Sequence, residues 1–143
     1  MKKIVFLFLA TTGFILSSCS STKATKSKEL FGTKWELEYI TGSRIAFNGL
    51  YPDKKPQITF NETTSEVSGT ASCNGYAAKY TLDGNAISFG EPGPTTMMYC
   101  EGGGEKAFIE MMKKVNAFSI EDDKLSLIAN DLPVMRFKKI ATE

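Results

Sequence analysis

Histidine is absent from the whole chain of 143 residues. Its absence excludes Ser-His-Asp and Cys-His catalysis and every histidine-based metal site. Cysteine is scarce: Cys19, Cys73 and Cys100, with no CxxC pair that would serve thiol redox chemistry or zinc. No apolar run reaches the roughly twenty residues that a spanning helix needs. Excess charge is lacking too: 17 Lys+Arg face 16 Asp+Glu. A nucleic-acid binder would carry a basic face, so that class is set aside. No cofactor motif is present.

The N-terminus carries a different pattern. Met1-Lys2-Lys3 precedes an apolar stretch from Ile4 to Leu16, and Ser17-Ser18-Cys19 follows. A charged start, a short apolar core and small residues make the tripartite export signal. Leu16-Ser17-Ser18-Cys19 resembles the bacterial lipobox, which implies a signal peptide over 1–18 and acylation of a new N-terminal Cys19. Each buried CH₂ contributes about 0.8 kcal/mol, so two or more acyl chains hold a protein at a membrane it does not span. Ordinary cleavage, leaving a soluble protein with a free thiol, is the alternative. Cleavage removes two lysines and no acid, shifting the net charge from +1 to about −1. Ser20, rather than Asp, follows Cys19, which by resemblance to sorted lipoproteins suggests the outer membrane, facing the periplasm. Residues 19–29 read as a polar tether. Its Lys23, Lys26 and Lys28 suit either anionic headgroups or plain solvation.

With Cys19 lipidated, Cys73 and Cys100 remain as an even pair in an oxidising compartment. A bridge between them would be worth roughly 3–4 kcal/mol by the chain-entropy argument. Two buried thiols are the other reading.

From Leu30 onward the pattern is mainly β. Trp35, Leu37 and Tyr39 alternate with Glu36 and Glu38, the period of a half-buried strand. Similar signals fall at 56–60, 64–71, 76–82, 86–89, 118–120, 125–127 and 134–138. Gly69 suggests a bulge or a close backbone approach. Asp83-Gly84-Asn85, Asp122-Asp123 and Asn130-Asp131 mark turns. One segment changes period: Phe108, Met111, Met112 and Val115 share a helical face, predicting a helix over about 104–115. Glu110 and Lys114 are spaced as an i,i+4 pair on it. About seven or eight short strands with one inserted helix predict a β-rich α+β fold, an antiparallel curved sheet or incomplete barrel.

These motifs carry a resemblance. Trp35-x-Leu37, Gly69-x-x-x-Cys73-Asn74-x-Tyr76, Thr96-x-Met98-x-Cys100, the pair Glu105 and Phe108, and Leu125-x-Leu127 follow one another in order. Together they resemble the META/HslJ-like domain, common in bacterial lipoproteins, over a domain set at 30–141. Ser72 stands where a glycine commonly precedes the cysteine, and Met97 and Tyr99 replace a common basic and a small residue. The resemblance implies a β-rich fold without established enzymatic activity, associated with envelope stress and antibiotic tolerance.

Candidate sites follow. Asn74-Gly75 predicts a tight turn with positive φ, with Asn74 either structural or offering its amide to a ligand. Tyr76, Met98, Met111 and Met112 join Asn74 as an expected ligand or partner surface, since methionines adapt to varied apolar partners and equally fill cores. Gly102-Gly103-Gly104 reads as a flexible loop before the helix, with Glu105 at the positive end of its dipole. Glu101 and Glu105 could form a hydrolytic carboxylate pair, but solvated acids are the default. Asn61-Glu62-Thr63 matches a glycosylation sequon by chance. The expected function is a non-enzymatic, membrane-anchored envelope module that binds a protein partner. A carrier of small apolar ligands or lipid in the barrel interior is the alternative, and a hydrolase the third.

Overall fold

The computed structural model describes residues 28–94 and 96–141. The expected signal peptide (1–18), Cys19 and the expected tether up to residue 27 lie outside the described residues. Among the described residues, no helix is long and apolar enough to cross a membrane.

Nine strands form one antiparallel sheet: β1 (Lys34–Ile40), β2 (Gln57–Asn61), β3 (Glu66–Thr70), β4 (Gly75–Asp83), β5 (Ala86–Phe89), β6 (Gly93–Pro94), β7 (Ala117–Glu121), β8 (Lys124–Ala129) and β9 (Leu132–Ile140). Their order is β3-β2-β1-β9-β8-β7-β5-β4-β6, and β3 also pairs with β4. The pairing therefore returns to its start, curling the sheet into a ring. The ring is thinnest between β5 and β7, which share the single pair Ala86↔Ala117. Against this sheet lie the helices α1 (Phe47–Leu50) and α2 (Gly104–Met112).

Alternation fixes which side chains enter the ring. Trp35 and Leu37 of β1 point inward, while Glu36 and Glu38 face out to Lys138 at 3.3 Å and Lys124 at 2.8 Å. Such cross-strand ion pairs each add only a few tenths of a kcal/mol at the surface. The alternation breaks after Leu37, where a register shift against β9 turns Tyr39 outward. Ile40 takes the inward place expected of Tyr39, and Arg136 stacks over the Tyr39 ring at 5.4 Å. Asp122-Asp123 and Asn130-Asp131 take positive φ at both central positions, the two-residue hairpin geometry that short Asx side chains tolerate.

Inside, Trp35, Phe60, Phe108 and Phe137 are almost completely buried, and Phe108 stacks edge-on against both Tyr76 and Phe137. Packed side chains thus occupy the interior that the alternative carrier reading would use. The inserted helix supplies Phe108 and Met112 to this core. It is shorter than the sequence pattern predicts, ending at Met112. The amides of Lys114 and Val115 bond three residues back, to Met111 and Met112, tightening the chain into a turn that leads to β7. The ion pair on α2 is consequently Lys106–Glu110 at 3.9 Å, not Glu110–Lys114.

The register gives the ring two ends. Lys34 pairs with Ile140 and Thr59, so the chain enters and leaves the domain at one end. Ile40↔Met135, Gln57↔Thr70 and Ala129↔Leu132 mark the opposite end, which we call distal.

Candidate functional site

The distal end is closed by α1, α2 and the loop preceding α2, and one asparagine ties that loop to α2. Asn74 is 4% exposed, just ahead of β4. Its Oδ1 accepts from the Met98 amide at 2.8 Å and the Thr96 hydroxyl at 3.0 Å. Its Nδ2 donates to the Met98 carbonyl at 2.8 Å and to Glu105 Oε2 at 2.7 Å. Both donor hydrogens and both lone pairs are used, the full capacity of a carboxamide. The expected turn at Asn74-Gly75 does not form: neither residue has positive φ, and Gly75 opens β4, its amide donating to Thr96 Oγ1 at 3.0 Å.

Beside this clamp, the sulfurs of Cys73 and Cys100 lie at bonding distance, with Cα atoms 5.7 Å apart, within the range of an unstrained bridge. Glu105 Oε2 stands 3.0 Å from Cys100 Sγ. A disulfide sulfur holds no proton, so this is a contact and not a hydrogen bond. Cys73, Cys100 and Glu105 are near enough for their ligand atoms to share an ion. While the sulfurs are joined, however, neither is a thiolate and the carboxylate is the one strong donor among the three.

Two glycines of the triplet, Gly102 and Gly104, serve close packing, whereas Gly103 supplies a left-handed φ of 70° ahead of α2. A Cβ on Gly102 would lie 2.3 Å from the Gly49 carbonyl oxygen, and one on Gly104 would lie 2.4 Å from that of Leu50. Only glycine lets the start of α2 lie this close to α1. The Tyr51 hydroxyl donates to the Gly104 carbonyl at 3.0 Å, and burial pushes its pKa well up. Glu105, in the first turn of α2, meets the helix dipole as expected and the Asn74 amide as well.

The five residues expected to share a surface are distributed otherwise. Asn74, Tyr76 and Met112 are buried, Met111 is half-buried on α2, and Met98 is exposed. Tyr76 packs on Phe108, and its hydroxyl has no hydrogen-bond partner. Burial drives its pKa far upward. Removing an unsatisfied buried hydroxyl is favourable, so Tyr76→Phe should gain about 1 kcal/mol in urea unfolding. Unfolded tyrosine ionises near pH 10, whereas folded Tyr76 stays neutral, so this residue's contribution to stability falls above that pH. The variant should show a shallower alkaline decline. Equal or lower stability would mean that the hydroxyl is satisfied.

What the clamp presents is apolar. Met97 and Tyr99 are each 91% exposed and Met98 is 59% exposed, on a loop pinned at both ends by Asn74 and Cys100. Ile45, Leu132 and Tyr39 are further exposed large apolar side chains. All six lie toward the distal end, on the loops and strand ends that surround α2. Tyr39, Ile45, Tyr99 and Leu132 were not singled out from sequence, where an apolar residue in a strand or loop carries no mark of exposure.

The comparisons with known proteins agree with this architecture. The META domain family matches residues 28–141. None of the curated proteins is similar enough to match. Among solved structures, the chain is similar to one titled "NMR structure of the protein from Burkholderia xenovorans", with a TM-score of 0.63 and 21% identity over 99% of both chains. A second, titled "NMR structure of the protein", has a TM-score of 0.56 and 19% identity, covering 78% of this chain and 92% of that one. At these identities the likeness shows the fold alone. Together with the Cys-Asn-x-Tyr element at the centre of the clamp, the family match is decisive: the chain belongs to the META domain family.

Proposed function

We propose that this protein is a non-enzymatic envelope lipoprotein, acylated on Cys19, whose distal end docks a protein partner in the periplasm. One observation carries the docking reading: exposed large apolar side chains gather at the end opposite the chain's entry. A monomer seldom clusters such side chains without a partner surface to serve. The Asn74 clamp and the disulfide hold the Met97–Tyr99 loop in place before any partner arrives, which lowers the entropy cost of binding. An anchor at the entry end and a docking surface at the far end suit a protein that reaches from one membrane toward something beyond it. The outer membrane is the expected anchorage.

Photocrosslinking in intact cells tests this. A crosslinker placed at Met98 or Leu132 should yield a discrete adduct, and one at Glu62, at the entry end, should not. In the same cells an alkyne fatty acid should label the protein, and Cys19→Ala should abolish both label and membrane retention. Adducts at Glu62 alone, or none at either end, would sink the docking reading. Labelling that survives Cys19→Ala would sink the anchor.

A further inference from the structure

Two open grooves adjoin at the distal end and share Thr41, Met111 and Lys114. One, of about 420 Å³, runs between the segment after β1 and α2. The other, of about 490 Å³, runs from α2 to the β8–β9 hairpin. Apolar side chains line both: Met111 is shared between them, Ile45 lines the first, and Tyr39 and Leu132 line the second. Their rim is cationic. Arg44, Lys106 and Lys114 line it against the single acid Glu110, which Lys106 already faces. Arg44 and Lys114 have no ion-pair partner among the described residues.

We infer that this double groove receives an acidic amphipathic segment of a partner polypeptide, inserting apolar anchors on either side of Met111 and setting carboxylates against Arg44, Lys106 and Lys114. The inference rests on the docking reading above and names where and what it docks. Charge complementarity selects the sign of the partner, since a basic segment would meet three cations against one acid. Shape selects a polymer over a free acyl chain. The grooves lie open along one side, so a lone hydrocarbon would keep much of its surface in water, whereas a peptide presents polar groups there. The thioether of Met111 can re-pack around anchors of different shape. Helix-in-groove recognition uses the same arrangement of apolar anchors and a polar rim.

The test uses the mature acylated protein in phosphatidylcholine nanodiscs with ¹³C-methyl methionine, which gives five probes, Met1 having left with the signal peptide. Two synthetic amphipathic peptides are titrated, identical in their leucines and phenylalanines, with glutamate or lysine at the polar positions. Laurate is titrated separately. The glutamate peptide should shift the Met111 methyl, assigned through Met111→Leu, and leave buried Met112 and Met135 in place. Lys106→Glu with Lys114→Glu should weaken that binding roughly tenfold, and the paired glutamine substitutions should weaken it less. Equal response to both peptides, response to laurate alone, or no response at Met111 would each overturn the inference. Failure here beside successful crosslinking at Met98 would discard the groove and leave the docking reading standing. Failure of the crosslinking discards the reading itself.

Discussion

Asn74→Ala should cost about 3–4 kcal/mol in equilibrium unfolding, because it removes four hydrogen bonds at a site where water cannot fully replace them. The Met98 amide and carbonyl lose their partners together, as does the Thr96 hydroxyl. Glu105 keeps its contact with Cys100 Sγ and loses the donor that balances its charge. A deletion that strands partly buried donors and acceptors costs about 1–3 kcal/mol per group, and groups in one network do not add fully. The covalent tie at Cys100 limits how far the loop can move. For a domain of this size, each kcal/mol shifts the melting temperature by roughly 4–8 °C, so the loss is readily seen by calorimetry. Asn74→Asp should be at least as costly. A carboxylate there cannot donate to the Met98 carbonyl, and it would face Glu105 across a distance now set by a hydrogen bond of 2.7 Å. Limited proteolysis should show the Met97–Tyr99 segment cut faster in both variants. A loss under about 1 kcal/mol, with unchanged proteolysis, would mean that the disulfide alone holds the loop.

The same residues show how far the sequence could be read. Strand positions followed from alternation because a strand with one wet face must alternate, and the hairpin turns followed from Asx and glycine tolerance of positive φ. The Cys73–Cys100 pairing was reached by counting, since reading Cys19 as lipidated leaves an even pair. What failed was information that lives in three dimensions. Tyr39 fits the apolar register of β1, and only the shifted pairing with β9 turns it out. Asn74-Gly75 carries the local signature of a tight turn. The Asn74 side chain instead bonds to residues more than twenty positions away, and that tertiary demand outweighs the local preference. The glycine triplet looks pliable until α1 is packed against it. The groove rim draws on the loop after β1, on α2 and on the turn that follows it, so no spacing in the sequence brings Arg44 to Lys114.

Gly69→Ala should be more damaging still, costing about 3 kcal/mol or more and leaving little folded protein to purify. Gly69 sits in β3 between two partners, opposite Ile58 on β2 and Tyr76 on β4. Its φ is not positive, so an alanine could adopt its backbone conformation. The obstacle is space: a Cβ there would lie 1.9 Å from the Gln57 carbonyl oxygen and 2.7 Å from its carbon. Both atoms are backbone, and no rotamer change can move them aside. Relief requires β2 and β3 to separate, which strips ladder hydrogen bonds from the strands that close the ring and opens the core around Ile58 and Val67. Gly84→Ala makes the informative control. Gly84 has φ of 62° in the β4–β5 turn, with nothing near its absent Cβ, so its substitution costs backbone strain alone, about 1–2 kcal/mol. The two variants add the same methyl group for different physical reasons. Circular dichroism and urea titration should therefore find Gly84→Ala folded and modestly weakened, and Gly69→Ala largely unfolded. Stability of Gly69→Ala within about 1 kcal/mol of the parent would show that β2 and β3 do not approach as closely there, and that the glycine of the family signature serves another purpose.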